Sequence, residues 1–485
     1  MAFGKDTPQL LSATLLADLE TPVSAMLKLL HEGEPSFLLE SVQGGETRGR
    51  YSIIGLLPDL IWRCKGPKAE INRKGTLLDA DFLPIEEGSL ASLKALVRDC
   101  RMQIPATLPP MAAGLIGYMG YDMVKLMEKL PDENPDSIGI PDVCFMRPRV
   151  MVIFDSVKGI IHITAPLWKD QGFRDAKAAY DAASGLIVTI ADQLARPLAQ
   201  SKPVAPTSLA FVSNTTKQQY HAMVKRAKEY IVAGDIFQVV PSQRFSAPFT
   251  LPHFALYRSL RHLNPSPFLF YLNFGPYSLV GSSPEILVRL RDGTVTVRPI
   301  AGTRARGATP AEDEALANDL LTDPKEIAEH LMLLDLGRND VGRIAETGSV
   351  KVTERMVIEK YSHVMHIVSN VEGRLDRKYD AIDALIAGFP AGTVSGAPKI
   401  RAMEIIDELE KERRSFYAGC VGYFSAGGSM DTCITLRTGL IKDGTLYVQA
   451  GGGVVADSDA EAEYQESCNK AKALMRAAEQ AAKFA

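Results

Sequence analysis

Two Asp-Gly pairs, set among runs of β-branched residues, constrain the fold of this chain more than any other feature. Asp292-Gly293 and Asp443-Gly444 are strong hairpin signals, because tight hairpin turns need positive φ angles that glycine adopts without steric cost. The runs near them have the composition of strands and comprise residues 278–281, 285–289, 294–297, 432–437 and 445–449. We therefore expect these runs to be antiparallel neighbours in a sheet.

Segments with helical periodicity alternate with these predicted strands. The helical segments are residues 89–100, 216–233, 324–337, 380–388, 398–413 and 459–483, and further strand-like runs are residues 35–40, 149–154 and 159–164. This alternation predicts an α+β fold with large mixed or antiparallel sheets and flanking helices.

A stretch with three prolines, residues 195–208, interrupts the pattern. Proline cannot continue a helix or donate to an interior strand, so this stretch is expected to be a linker or an exposed loop. We divide the chain into an N-terminal part at 1–194, a linker at 195–210 and a C-terminal part at 211–485.

Composition and charge exclude several classes of protein. The 485 residues are 46% hydrophobic and 23% charged, with a net charge of -4, which gives no reason to expect nucleic acid or an anionic membrane as a partner. No apolar run reaches the ~20 residues of a membrane span, and the first residues lack a signal-peptide pattern. Six scattered cysteines without a C-x-x-C indicate reduced thiols. We expect a cytoplasmic protein.

Two pairs of glutamates have the spacing that places both carboxylates on one face of a helix. They are Glu326 with Glu329, and Glu463 with Glu466. If the two helices faced each other, the four carboxylates would form an oxygen-only site suited to Mg²⁺ or Ca²⁺. Spacing alone leaves solvated faces open as well. Glu326 could complete a capping box, and Glu466 could form an ordinary ion pair with Lys470.

Three glycine-bearing turns are candidates for binding an anion. Residues 299–304 and 451–453 follow strands, and residues 389–399 lead into a helix. Glycines let backbone N–H groups approach an anion, and a helix start adds a favourable dipole. No turn matches a nucleotide phosphate motif. Together with Arg437 on a nearby strand, the turns suit a small ligand with several carboxylates, although any one of them can be merely a tight turn.

The longest motifs resemble those of the chorismate-utilising enzymes, and among them most closely the large subunits of anthranilate synthases. The resemblance runs from about residue 15 to about residue 475. It rests on residues 234–244, 281–285, 299–304, 329–340, 361–366 and 389–399. It implies the fold of that family and a lyase that converts chorismate and ammonia to anthranilate and pyruvate, the first step of tryptophan biosynthesis.

The resemblance also implies roles for individual residues. Glu329 and Glu466 would bind Mg²⁺, and Glu326 and Glu463 would be further or water-mediated ligands. The ion would hold the ring carboxylate of chorismate. The rest of the substrate would be held by Gly302, Thr303, Tyr417, Arg437, Gly451, Gly452 and Gly453, with Lys470 as a further candidate.

The catalytic steps are assigned in the same way. Glu285 resembles the general acid that protonates the departing C4 hydroxyl, His366 would assist loss of the enolpyruvyl group, and Thr393 would line the ring. In aminodeoxychorismate synthases a lysine nucleophile commonly stands where this chain has Ala301. In the water-using relatives a lysine base stands at Gln238. The methyl group of Ala301 cannot act as a nucleophile, and the neutral amide of Gln238 cannot act as a base. Both positions therefore favour direct attack by ammonia.

A second site and a partner are also implied. Glu40 and Ser41 resemble part of a tryptophan feedback pocket, together with Pro267, Phe268 and Leu269. Ala418-Gly-Cys-Val-Gly422 comes near the Gly-x-Cys-x-Gly nucleophile of a class I glutaminase but has Ala at its first position. Ammonia from glutamine is therefore expected from a separate glutaminase subunit, in a heterotetramer. The alternatives are an aminodeoxychorismate synthase and a catalytically silent tryptophan-binding regulator.

Overall fold

The computed structural model describes residues 7–31, 33–43, 47–198, 204, 209–361 and 364–485. Parts of two predicted features lie outside the described residues. These are residues 199–203 and 205–208 of the proline-rich stretch, and residues 362–363 of the motif at 361–366.

The described residues form 25 strands and eleven α-helices. The strands are β1 Gln9–Leu16, β2 Ser36–Glu40, β3 Val42–Gln43, β4 Thr47–Arg48, β5 Tyr51–Lys65, β6 Lys68–Asn72, β7 Leu83–Ile85, β8 Gly114–Met119, β9 Val143–Asp155, β10 Ile160–Leu167, β11 Val212–Ser213, β12 Gln238–Val239, β13 Ser242–Pro248, β14 Phe268–Asn273, β15 Tyr277–Ser283, β16 Ile286–Arg291, β17 Thr294–Val297, β18 Ile300–Ala305, β19 Lys351–Lys360, β20 Val364–Arg374, β21 Gly396–Ala397, β22 Cys420–Ser425, β23 Met430–Ile434, β24 Thr438–Lys442 and β25 Thr445–Gly451.

The helices begin mostly at the capping residues that the sequence offers, such as Thr216 and Asp380. They are α1 Pro22–Leu29, α2 Ser89–Asp99, α3 Ala176–Ala195, α4 Lys217–Ala233, α5 His253–Leu263, α6 Pro310–Thr322, α7 Pro324–Gly342, α8 Ala381–Gly388, α9 Gly392–Ser395, α10 Lys399–Leu409 and α11 Ala460–Gln480. Short 3₁₀ helices occur at Asp79–Asp81, Tyr121–Leu126, Lys169–Gln171 and Ala481–Phe484.

Both Asp-Gly pairs form hairpin turns, with positive φ at Asp292, Gly293, Asp443 and Gly444. The first turn joins β16 to β17, as predicted. The second joins β24 to β25, so the prediction of one strand over 432–437 beside it was wrong. The chain turns at Arg437, whose φ is 49°, and this turn separates β23 from β24.

The strands β5 and β9 are the seam between two antiparallel sheets. Their ladder runs from the pair Tyr51↔Asp155 to the pair Cys64↔Val143, with a register shift between Pro58 and Leu60. On one side of the shift the ladder continues through β2, β14, β15, β24, β25 and β13, and through β10 and β1. On the other side it continues through β6 and β7, and through β8, β22, β23, β16, β17 and β20.

Two hydrophobic cores show how the sheets pack. Along β14, Phe270 and Leu272 belong to one core and the alternate residues Leu269 and Tyr271 to the other, as expected for a strand buried on both faces. The first core also contains the inner residues of β8 and β22 and of helices α2 and α8. The second contains those of α1, α3, α5 and α11. The result is a pair of stacked sheets flanked by helices, which confirms the predicted α+β class.

Strands from both sides of the proline-rich stretch lie in the same sheets. β2 pairs with β14, and β8 pairs with β22. The division at 1–194, 195–210 and 211–485 therefore stays a prediction about function and does not describe separately packed units. The six cysteines are unpaired, and no helix in the described part of the chain is long and apolar enough to cross a membrane.

The ladder between β8 and β9 gives a stability prediction. A methyl group at Gly117 in β8 would overlap the carbonyl oxygen of Cys144 in β9. We expect Gly117→Ala to lower the free energy of unfolding by about 1–3 kcal/mol, because the backbone of a buried ladder must move. Gly185→Ala is the control, since α3 is exposed there and a Cβ would meet nothing within 4 Å.

Denaturant unfolding measures both variants. We expect Gly185→Ala to raise stability by about 0.4–1 kcal/mol, because alanine restricts the unfolded chain. Equal stability of the two variants would contradict the packing described for β8 and β9.

Candidate active site

The first two turns of α7 place Glu326 and Glu329 on one side of the helix. Asp323 caps the helix by accepting hydrogen bonds from the amides of Lys325 and Glu326. Glu326 does not reach back to complete a capping box. Its carboxylate instead accepts from Arg304 at 3.0 Å. The spacing alone could not reveal this partner, because Arg304 comes from β18.

Glu329 is held by Gln238, whose side-chain amide donates to Glu329 Oε1 at 3.0 Å. Burial raises the pKa of Glu329, and the negative charges of Glu326 and Glu466 raise it further. Glu466 belongs to α11, so the charge of one glutamate pair acts on the other. The ion pair of Lys325 with Asp457, at 3.2 Å, also joins α7 to the segment before α11.

The pair on α11 differs in exposure. Glu466 is half exposed and forms an ion pair with Lys470 at 2.7 Å, which is the ordinary i, i+4 contact that the spacing allowed. Glu463 is more enclosed, and its Oε1 accepts from the Ser458 hydroxyl at 2.7 Å. Its Oε2 is buried without a hydrogen-bond partner and lies close to Gly452. Burial raises the pKa of Glu463.

The four glutamates fit a hard divalent cation in their donor chemistry. All the ligands would be carboxylate oxygens, and the unpartnered Glu463 Oε2 is an orphaned acceptor of the kind that a cation satisfies. Within the described ranges, no group of three or more acidic, histidine or cysteine side chains is already close enough to hold an ion. Ion binding would therefore require some of these side chains to leave their present partners.

Glu285 is a buried acid without a cationic partner in the described structure. It lies in the short connection between β15 and β16 and is 6% exposed. Burial raises its pKa to about 8, and this shift is only partly opposed by the Thr393 hydroxyl, which donates to the carboxyl oxygens at 3.1 Å. Glu285 is therefore mostly protonated at neutral pH and can act as an acid.

His366 is oriented by the turn that contains Gly302. Its Nδ1 lies 2.9 Å from the Gly302 carbonyl oxygen and 3.1 Å from the Thr303 hydroxyl. The carbonyl can only accept, so Nδ1 carries the proton and Nε2 keeps a free lone pair. Burial lowers the pKa of His366, and the imidazole is therefore neutral and able to accept a proton.

Arg437 provides a positive charge on one side of the site. Its guanidinium makes no hydrogen bond or ion pair to any group of the described chain, and burial lowers its pKa. It lines a recess together with Asn264, Pro284, Tyr361 and His366. An enclosed, unpaired guanidinium suits a carboxylate, which it can bind through two parallel hydrogen bonds.

Gly451, Gly452 and Gly453, here called the triple glycine, lie beside Gln238 and α11. Lys470 donates to the Gly451 carbonyl at 3.2 Å, and the Gly452 amide donates to Pro241 at 3.3 Å. A Cβ on Gly453 would lie 2.6 Å from Gln238 Nε2, so only glycine leaves room for that amide. The Gly452 N–H is thus already engaged and is a weaker candidate for substrate binding than its neighbours.

Tyr417 lies in the loop between α10 and β22 and is 3% exposed. Burial raises its pKa to about 12, so the phenol stays protonated. It can therefore donate a hydrogen bond to an anionic ligand.

The predicted regulatory residues come together on neighbouring strands. Glu40 of β2 pairs in register with Leu269 of β14, directly after Pro267 and Phe268. The Glu40 carboxylate already accepts two hydrogen bonds from Arg261, at 2.6 and 3.0 Å, and one from Tyr257 at 2.6 Å. A ligand ammonium would have to share this carboxylate with Arg261. Ser41 follows Glu40, and its carbonyl accepts from the Gly49 amide at 2.7 Å.

Two side chains that support the site are missed by reasoning from the sequence alone. Arg304 also donates to Asp319 and Asp323, each at 2.8 Å, and so ties β18 to the start of α7. The Tyr361 ring packs edge-on against His366 at 5.5 Å, and its hydroxyl donates to Glu359. Arg304 lies in the motif at 299–304 and Tyr361 in the motif at 361–366, where other residues were assigned the functional roles. Membership in these motifs is the only indication of their importance in the sequence.

The environment of Glu285 gives a direct prediction. Thr393→Val removes the hydroxyl that stabilises the ionised carboxylate, so we expect the pKa of Glu285 to rise above its wild-type value of about 8. The carbon NMR signal of the Glu285 carboxyl, assigned with Glu285→Gln, measures the titration. An unchanged or lower pKa would contradict the contact.

Comparison with known proteins identifies relatives over nearly the whole chain. The family model described as chorismate binding enzyme matches residues 35–476. A protein named anthranilate synthase component 1 from Cereibacter sphaeroides is 59% identical over 479 residues, covering 98% of this chain and 96% of the relative. Another of that name from Aquifex aeolicus is 48% identical over 468 residues, covering 96% and 93%.

Solved structures of related proteins also match this chain over nearly its whole length. Anthranilate synthase component I from Streptococcus pneumoniae has a TM-score of 0.78 and 39% identity, covering 95% of this chain and 99% of that one. The menaquinone-specific isochorismate synthase from Escherichia coli has a TM-score of 0.72 at 21% identity, covering 98% and 95%, and shows the shared fold alone.

Proposed function

This chain belongs to the family of chorismate binding enzymes, and we propose that it converts chorismate and ammonia to anthranilate, pyruvate and water. Its relatives named anthranilate synthase component 1 match nearly end to end, which supports this member of the family over its siblings. Ammonia would attack ring carbon C2 with loss of the C4 hydroxyl as water, and elimination of pyruvate would then make the ring aromatic.

The observation that carries the proposal is the buried Glu285 carboxyl, which has the Thr393 hydroxyl and no cation as a partner among the described residues. Loss of hydroxide from C4 needs a proton donor at neutral pH, and a buried carboxyl whose pKa is about 8 supplies one. Thr393 holds both carboxyl oxygens and so limits the orientation of the acid. The negative charges of a bound substrate would raise the pKa further and keep the proton in place until the C–O bond breaks.

Ammonia itself is the nucleophile that the site allows. Ala301 is buried in β18 and offers only a methyl group. The Gln238 amide is neutral and donates to Glu329, so it cannot activate water. Ammonia needs no such activation, because its lone pair is already nucleophilic.

The second step would use the neutral His366. Its Nε2 lone pair can accept the proton from the ring carbon that carries the new amino group, while the enolpyruvyl C–O bond breaks and its electron pair leaves with the enolate of pyruvate. Gly302 and Thr303 fix the tautomer that leaves Nε2 free.

Binding of the substrate carboxylates is divided between two ends of the site. Arg437, with Tyr417, Thr303 and the amides of the glycine turns, would hold the enolpyruvyl end. Mg²⁺ would be held by Glu329 and Glu466, with Glu326 and Glu463 in support, and would neutralise and anchor the ring carboxylate. Gln238, Arg304 and Lys470 would then position the glutamates that they contact.

A partner and an inhibitor complete the proposal. The name component 1 of the relatives implies a second component, and we propose that a glutaminase subunit supplies ammonia to this chain. Tryptophan would bind at the adjoining ends of the paired strands β2 and β14, where Glu40 and the Pro267–Leu269 backbone meet. The ion pair of Glu40 with Arg261 would open to admit its ammonium group.

Product identification tests the proposal. We expect the purified chain with chorismate, MgCl₂ and an ammonium salt to form fluorescent anthranilate and pyruvate in equal amounts. A chelator should abolish turnover and tryptophan should slow it. Glutamine should replace ammonium only when the partner is added. Glu329→Gln should lower activity strongly if the glutamate acts in the site.

Two results would contradict the assignment. A 4-amino product from the wild type would indicate an aminodeoxychorismate synthase, and it would show that the absence of a lysine at Ala301 does not exclude that reaction. Tryptophan binding without turnover, unchanged in Glu329→Gln, would indicate a silent regulator.

The pKa of Glu285 sets a pH dependence. The acid is active when protonated, so kcat/KM for chorismate, which reports the free enzyme, should fall as pH rises through about 8. The turnover number at saturating chorismate should fall at a higher pH, because the bound substrate raises the pKa of Glu285 further. Rates must be expressed per concentration of free NH₃, since its protonation changes over the same range. Glu285→Asp should keep a falling limb with lower turnover, whereas Glu285→Gln should lose most activity at every pH. A wild-type kcat/KM for chorismate that is flat through pH 9 would rule out Glu285 as the acid.

A further inference from the structure

We propose that Glu410 and Arg414 form a positioning pair. This pair fixes the spacing of the backbone segments that carry the substrate-site residues. Neither residue belongs to the site as assigned above, and this inference rests on the proposed function. The two residues follow α10 and form a buried ion pair, with 6% and 2% of their side chains exposed. Together they contact three segments that carry site residues, at 393–394, 238–242 and Tyr417.

Arg414 ties two of these segments through their backbone. Its Nη1 donates to the carbonyl oxygen of Val394 at 2.7 Å, and its Nη2 donates to that of Val240 at 2.6 Å. Val394 directly follows Thr393, which holds Glu285. Val240 lies two residues after Gln238, which holds Glu329. One guanidinium therefore fixes the spacing between the segment that orients the acid and the segment that orients the glutamate.

Arg414 also supports Tyr417. The guanidinium lies 5.5 Å from the centre of the Tyr417 ring, within range of a cation–π contact, and 4.8 Å from that of Tyr121. The Arg414 carbonyl accepts from the Tyr417 amide at 3.1 Å. The position of the Tyr417 phenol thus depends on the same side chain.

Glu410 extends the arrangement to the triple glycine. Its Oε1 accepts from both the amide and the hydroxyl of Ser242, each at 2.8 Å. Ser242 pairs with Gly451 across the ladder of β13 and β25. The carboxylate also accepts from Arg414 Nε at 3.0 Å, which holds the guanidinium in the plane that reaches both carbonyls.

Stability alone does not explain this arrangement. A buried ion pair costs desolvation energy, and well-packed apolar residues often serve stability as well. A guanidinium with its donors distributed over two carbonyls and a carboxylate provides something that apolar packing cannot, namely a defined distance between backbone segments. Small displacements of groups around a reacting molecule cost large factors in rate.

Arg414→Lys and Ser242→Ala test the proposal. Lysine keeps the charge but cannot reach Val394, Val240 and Glu410 together, and Ser242→Ala removes only a hydroxyl. The control is Arg147→Lys. Arg147 is also buried, forms a paired contact with Asp59 at 2.8 and 2.9 Å, and packs on an aromatic ring, but none of its partners has a role in the site.

Each full-length variant is measured for thermal unfolding, for chorismate binding by calorimetry with Mg²⁺ but without ammonia, and for kcat and KM. We expect Arg414→Lys to lower kcat/KM about 10- to 100-fold and to weaken chorismate binding, and Ser242→Ala to do so by a smaller factor. Arg147→Lys should lose a comparable amount of thermal stability and keep wild-type binding and kinetics.

The outcomes separate the two proposals. If the wild type neither binds chorismate nor forms anthranilate, the proposed function fails. If the wild type does both, and Arg414→Lys and Ser242→Ala match the kinetics and binding of Arg147→Lys, the positioning role is overturned. Should Arg414→Lys not fold, wild-type kinetics and binding in Ser242→Ala overturn the positioning role by themselves.

Discussion

The ladder between β5 and β9 holds the two sheets together, and every other part of the fold is placed relative to it. Both sheets share this ladder, and the register shift between Pro58 and Leu60 marks where one sheet gives way to the other. Because the two sheets are joined there, β15, β18, β20, β24 and β25 are held in fixed relation although they come from distant parts of the chain. The site is built at the ends and turns of these strands, and its precision follows from the rigidity of the stacked sheets.

This frame lets the site keep two groups enclosed without a partner of opposite charge among the described residues. Glu285 is a carboxyl without a cation, and Arg437 is a guanidinium without an anion among the described residues. Each is costly to bury alone. The burial of both groups becomes favourable when a ligand brings carboxylates to Arg437 and a leaving hydroxyl to Glu285. The unpartnered Glu463 Oε2 fits the same pattern and awaits a cation. The free protein thus holds a proton donor, a cation and an unpartnered acceptor that the proposed substrate and metal ion would engage.

Local pattern predicted much of this, within limits that have physical causes. Helix periodicity and caps located α4, α7, α8 and α11, and both Asp-Gly turns form, because these depend on neighbouring residues. The strand predicted over 432–437 was wrong, since tertiary packing holds Arg437 in a left-handed conformation that no local signal marks. The glutamate pairs were visible by spacing, yet the expectation that they face each other required the family resemblance. The roles of Arg304 and Arg414 could not be predicted, because their partners are carbonyls and carboxylates brought close only by the fold.

In the proposed reaction Glu285 donates the proton while the opposite end of the site anchors the ring carboxylate. A crystal structure of the protein with chorismate and Mg²⁺, prepared without ammonia so that no turnover occurs, tests this division of roles. We expect the C4 oxygen of chorismate about 3 Å from a Glu285 carboxyl oxygen, with the ring carboxylate toward Glu329 and Glu466. A substrate bound with its C4 oxygen away from Glu285, or with its ring carboxylate on Arg437, would contradict it.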